Sequence, residues 1–381
     1  MTTRRETLVF LASAICAAGP AHAGWFSGKP DLRDAERYAF VPSRTALAIA
    51  VVDLHQAKLA ATIELPHVAA DIIVSQMLGM VFATNPDQGT LTPVMLKTQE
   101  VGPAFEVGLR PDHALLGFED QFAAFWSNDG DLIVWDLKNI RPIYQNSRFQ
   151  PGAQISFSGN GRGLYVVEGL HNQMITVDLE ENKIAKIVPL HLDAPTDRIS
   201  AVTRSMDGGR GFISVADQDK LLLLNLKDPA FMRAMPIEGE PMRPYSTGDG
   251  RFTIIPNRAS KAITVLDANT YTVLRRIPLE ITPTEFNTGW FDTIGFAMSE
   301  TEALIDVLDL ERLERRGEIA LPEVGDRGVV SADMRTLAVA MPEAGGVALI
   351  DAPRGVMETV VGTDTPDISG VRLGVSNNIC H

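Results

Sequence analysis

Short apolar segments recur along the whole chain, separated by polar turns rich in Gly, Pro, Asp and Asn. One marker sets their spacing. Apolar residues lead into an Asp or Asn, and an apolar or small residue follows. The marker falls at Asp53, Asp136, Asp178, Asn225, Asp267, Asp309 and Asp351, with gaps of 83, 42, 47, 42, 42 and 42 residues. The first gap is twice the period, and a degenerate copy, Val94-Met95-Leu96-Lys97, lies near its middle. Each unit begins with a Pro or Gly before a short apolar strand. A polar turn follows, such as Gly159-Asn160-Gly161, Met206-Asp207-Gly208 or Gly248-Asp249-Gly250. A second strand comes next (163–167 or 211–215), then the strand that ends in the marker, then an alternating last strand such as 185–190.

Four short strands in forty-odd residues, with turn signals between them, are the grammar of a β-propeller blade. A lone four-stranded blade leaves both faces bare; stacked neighbours cover them, and ring closure removes the two end faces. The expectation is an all-β propeller of eight blades of about 42 residues, with seven blades as the fallback count. A pair of β-sandwiches also shows short strands, but nothing in a sandwich keeps a fixed period. The segment 366–376 matches the first half of a unit and Ala46–Leu65 the second half. One blade is therefore expected to close the ring by pairing N- and C-terminal strands. Residues 40–381 form the propeller in this reading, and 24–39 a leader outside it.

Met1–Ala23 has its own pattern. Arg4 and Arg5 precede the apolar run Leu8–Ala18, and Ala21-His22-Ala23 offers a small-x-small cleavage site. This reads as a secretory signal peptide, which places the mature chain in the periplasm. The apolar run is too short to span a bilayer, and no membrane span is expected in the mature chain. Without this segment the net charge moves from −14 to −15 and one cysteine remains, Cys380. A single cysteine forms no internal disulfide and no C-x-x-C-H attachment, so covalent c-type haem is not expected. The acidic balance argues against a nucleic-acid partner, which calls for basic residues to meet phosphates.

The loops leading into the innermost strands of a propeller converge on one mouth of its channel. Here they carry His67, Asp112, His113, Arg198, Arg243, Tyr245 and Arg327, with Glu285 and Asp367 in the same ring and His171, Arg258 and Trp290 in surrounding loops. The three arginines suit bidentate contacts to the carboxylates of an anionic ligand. His67 or His113 suits an axial metal ligand or proton donor. The bland alternative is a wet mouth in which carboxylates simply pair with arginines. At the C-terminus, Cys380 and His381 offer soft donors for Cu or Zn, and register brings His171 to the same face. A Cys that packs the closing strand is the competing reading.

The repeat unit resembles the YVTN-type repeat of exported bacterial propellers. The count of eight resembles the propeller half of the cytochrome cd-type nitrite reductases and their periplasmic haem-maturation relatives. The resemblance spans 40–381 at the level of repeat grammar, and no catalytic motif carries over. It implies a binding or accessory role in respiratory or redox-cofactor assembly. Its enzymatic version implies a haem-d-type tetrapyrrole as cofactor, with His67 or His113 as ligand. A third version is a scaffold whose acidic rim docks a basic periplasmic redox protein.

Overall fold

The computed structural model describes residues 29–34, 36–117, 120–228 and 232–374. These residues form eight sheets of four antiparallel strands, each ordered from an inner to an outer strand. Blade 2 runs Ile72–Ser75, Met80–Asn85, Thr90–Met95 and Phe105–Glu106. Blade 3 begins at His113–Leu116, blade 4 at Gln154–Phe157, blade 5 at Thr203–Arg204 and blade 6 at Tyr245–Ser246. Blade 7 begins at Glu285–Gly289 and blade 8 at Asp326–Val330. Among the described residues 3₁₀ conformation occurs at Asp120 and over 216–218, and there is no α-helix. No helix there is long and apolar enough to cross a membrane.

The marker residues keep their period because they close turns. Each of Asp53, Asp136, Asp178, Asn225, Asp267, Asp309 and Asp351 ends the third strand of its blade. Its side-chain oxygen then accepts backbone N–H groups two or three residues on, as Asp178 does from Glu180 and Glu181, both at 2.9 Å. This local bond offers the chain a tight hairpin into the outer strand. The degenerate unit lacks such an oxygen at Met95, yet its strand pairs in full register with Met80–Asn85.

The core lies between blades. In one cluster Ala39, Val41, Ala50 and Val52 of blade 1 pack against Ala338, Ala340, Val347 and Leu349 of blade 8. The first and last blades therefore meet as neighbours, and the ring is closed.

The clasp differs in detail from the sequence expectation. Blade 1 takes three strands from the N-terminal side, Tyr38–Pro42, Ala48–Asp53 and Lys58–Glu64, and only Arg372–Leu373 from the C-terminal side. The division is three to one, where the halves of the repeat pointed to two and two. Tyr38–Pro42 carries no marker, but all five residues are buried, and it pairs with Ala48–Asp53 on one side and Arg372–Leu373 on the other. The described part of the 24–39 segment is also tied to the ring. Leu32 is fully buried and its N–H donates to the Leu96 carbonyl at 3.0 Å.

Candidate functional site

The 42-residue period that spaces the markers also spaces the channel lining. Asp71 and His113 are 42 apart, as are Ala201, Arg243, Glu285 and Arg327 in succession. Asp71, His113, Arg243, Arg327 and Arg372 line one cavity of about 540 Å³ together with Trp126. They come from blades 1, 2, 3, 6 and 8, so residues from both ends of the chain converge on the axis.

Three guanidinium groups meet here. Arg372 is held by Asp71, Nη2 to Oδ1 at 2.8 Å. Arg243 and Arg327 have no carboxylate within ion-pair distance among the described residues. The backbone sets the direction of Arg327. Its φ is +34°, and the ladder between Asp326–Val330 and Thr336–Met341 slips by one residue there. Such a bulge turns one side chain out of the pleat, at the cost of local strain. Arg243 keeps contact with solvent through the shaft while protein packs around it. That burial, with the charge of Arg327 second, pulls its pKa down to about 10.

Glu285 opens the innermost strand of blade 7, between Arg243 and Arg327 around the ring. Burial pushes its carboxyl up to about 7, opposed by the Asn287 amide at 3.3 Å, a backbone N–H from Gly328 and the charge of Arg327. The raised value has a stability consequence. A carboxyl that binds its proton more tightly folded than unfolded stabilises fully below the unfolded pKa, and that contribution is lost as pH rises through the folded value. Glu285→Gln should therefore match the wild type near pH 4 and exceed it at pH 8. At about 1.4 kcal/mol for each tenfold difference in proton affinity, reduced by water in the shaft, the gain is on the order of 2 kcal/mol. Urea unfolding of both proteins at the two pH values measures it, and a difference independent of pH would refute it.

One wall of the cavity is flat. The rings of His113 and Trp126 stack at 5.2 Å with 28° between planes. His113 Nε2 donates to Asn128 Oδ1 at 2.9 Å, which leaves the lone pair on Nδ1. Asp112 supports this arrangement from behind. Its carboxylate accepts the Asn128 backbone N–H at 2.9 Å and Arg110 Nε at 3.0 Å.

Of the residues singled out in the sequence, His113, Arg243 and Arg327 share the cavity, and Asp112 positions the first of them. Others do not join them. His67 is locked at both ring nitrogens, to the Val68 carbonyl at 2.9 Å and Thr92 Oγ1 at 2.7 Å, and does not line the cavity. Arg198 turns to Glu240 at 3.0 Å, a carboxylate shared with Arg258 at 2.9 Å, in a side cavity of about 300 Å³ that adjoins the channel at Arg243. Tyr245 is buried between blades 6 and 7, edge-on to Phe286, with its hydroxyl 2.9 Å from Thr288 Oγ1. A large ring gains more from that packed slot with a polar partner than from a wet shaft. Trp290 sits in the turn from the innermost to the second strand of blade 7, at the opposite end of the ring. Arg372 and Asp71 escaped notice in the sequence, though Asp71 stands one period before His113.

Of the soft-metal set expected from the sequence, only His171 lies among the described residues. His171 is exposed and bonds Glu168 at 3.2 Å. Cys380 and His381 lie outside the described residues, and no group of three His, Cys, Asp or Glu suited to a metal occurs among those described.

No protein-family model matches the chain, and no curated protein matches it in sequence. Solved structures do. Dihydro-heme d1 dehydrogenase NirN in complex with DHE superposes with a TM-score of 0.72 at 14% identity, covering 91% of this chain and 77% of that one. AztD from Citrobacter koseri gives 0.66 at 14% identity, covering 89% and 98%. A functionally unknown protein from Desulfotomaculum acetoxidans gives 0.55 at 14% identity, covering 88% and 98%. At these identities the likeness establishes architecture: the chain is an eight-bladed β-propeller that shares its fold with NirN and AztD.

Proposed function

We propose that this protein binds a flat, carboxylate-bearing ligand in the channel mouth and serves redox-cofactor handling in the periplasm. The observation that carries this reading is the convergence of Arg243, Arg327 and Arg372 beside the stacked His113 and Trp126 rings. In a chain of net charge −14, two guanidinium groups with no carboxylate at ion-pair distance among the described residues face the shaft, with Glu285 as the one carboxylate coupled to both. An anion fits there, and a guanidinium fork grips a carboxylate in two places at once. The stacked rings fix the imidazole's direction at the cavity wall.

A tetrapyrrole of the haem-d type meets both demands. The arginines would hold its carboxylates, and the Nδ1 lone pair would let His113 ligate its metal, with Trp126 stacked on the imidazole to hold that ring in place. Such a group supplies electron transfer or ring oxidation of its own when bound. This chain's residues would bind it, orient it and limit water. NirN, solved with DHE, supports the class of ligand by fold likeness. The secretory signal read at Met1–Ala23 supports the compartment.

Titration of the purified chain with haemin tests this. Uptake should shift the Soret band, and the dimethyl ester of haemin, which lacks the carboxylates, should bind at least about tenfold more weakly. Protein isolated from its native compartment should carry an absorption band in the same region. A chain that takes up neither compound, or both equally, would overturn the reading.

A further inference from the structure

A second groove lies at the other end of the ring. A cavity of about 660 Å³ opens between blades 5 and 6, and a side cavity of about 340 Å³ continues it along blade 5. The two share Arg210, Asn225 and Tyr271 and so form one groove. Its walls include the turn from the innermost to the second strand of blade 5 (205–209) and the turn from the third to the fourth strand of blade 6 (268–271). Antiparallel order puts these turns at the end away from the loops that lead into the innermost strands. The groove is therefore separate from the channel mouth.

The groove is basic in an acidic protein. Arg210, Lys227 and Arg233 line it, and none has a carboxylate within ion-pair distance among the described residues. Asp207 is the one carboxylate in the lining. Its Oδ1 accepts Ser205 Oγ at 2.6 Å and the Gly209 N–H at 3.0 Å; Ser205 is the main cause of its lowered pKa, and the charges of Arg210 and Lys227 are the smallest ones. Tyr271 forms a wall, its ring 5.8 Å from Phe212, on a backbone at φ +57° that a bulky residue adopts only under constraint. Leu223 and Met232 supply an apolar floor.

The geometry points to an extended peptide segment of a partner protein, carrying alternating acidic and apolar side chains. Cations spread along two joined cavities match a row of carboxylates better than one compact anion, and the floor takes the apolar side chains between them.

A fluorescein-labelled peptide of about ten residues, alternating Asp and Leu, is the probe. Its anisotropy should rise on titration with the full chain. Combined Arg210→Glu and Arg233→Glu should weaken binding at least about tenfold, as should Ser in place of each peptide Leu. Lys227→Glu alone, on an exposed residue past the strand end, should weaken it at least about threefold, which keeps the test decisive if the double variant does not fold. Arg243→Ala should leave peptide binding unchanged, so this result stands or falls apart from the channel. No binding, equal binding by the reversed-charge variants, or displacement by millimolar inorganic phosphate would overturn the proposal.

Discussion

Combined Arg243→Ala and Arg327→Ala should reduce haemin affinity by roughly a thousandfold. Each charge-assisted contact to a carboxylate contributes on the order of 2 kcal/mol, and each 1.4 kcal/mol is a factor of ten. Neither arginine has a carboxylate within ion-pair distance among the described residues, and the charge of Arg327 disfavours that of Arg243 by more than Glu285 favours it. Removing both therefore relieves repulsion, and the variant should unfold at the same urea concentration as the wild type or a higher one. That separates lost binding from lost folding. Arg243→Lys should fall between, because an ammonium keeps the charge without the planar fork. The wild type should also bind more weakly at pH 8 than at pH 6. Glu285, pushed up to about 7, ionises across that range and offsets the guanidinium charge that the ligand needs. A double variant that binds within about threefold of the wild type would remove the channel from the function.

The two halves of this expectation were not equally legible in the sequence. The ring was, because a repeat must bury the same face in every copy and so repeats its turn chemistry. Asp178 and Asp267 recur because each closes the same hairpin with its own side chain. The convergence of Arg243, Arg327 and His113 followed from the ring alone. What the ring could not supply was the direction of each side chain. Tyr245 lies two residues past Arg243, yet it is buried between blades with Thr288. One period before it Thr203 is buried, and one period after it so is Asn287. Position within the strand thus decides between shaft and core, and composition says nothing about it. Arg198 and His67 were misplaced for another reason. Each found a nearer partner, Glu240 and Thr92, and pairing between loops leaves no periodic trace. Asp306 shows the same limit. Its charged neighbourhood, 306–316, reads as a solvated outer strand. Asp306 itself is fully buried, bonded to Arg315 Nε at 2.5 Å and to the Glu280 N–H at 2.8 Å.

Ending the chain at Thr365 should cost more stability than any single substitution in the channel. The missing segment carries Ile368, which is fully buried, and Val371, which is nearly so, both in the cluster that joins blades 1 and 8. Each contributes on the order of 2 kcal/mol. Ser43 Oγ, itself buried, would lose its acceptor at the Pro366 carbonyl, and Pro42 would lose the Ser369 N–H. Asp71 would lose Arg372. Together these reach roughly 6 kcal/mol, against a total of about 5–15 kcal/mol for an ordinary domain. The melting temperature should fall by roughly 10 °C or more. The strand Tyr38–Pro42 would also become an uncovered edge, so the truncated chain should aggregate on heating where the full chain does not. A synthetic peptide spanning 366–376 added in trans should restore part of the loss, since it returns the missing strand without altering the rest of the ring. Haemin uptake should recover with it, because the same peptide returns Arg372 to the channel. A truncated chain that melts within about 2 °C of the full chain would mean that blade stacking alone holds the ring shut.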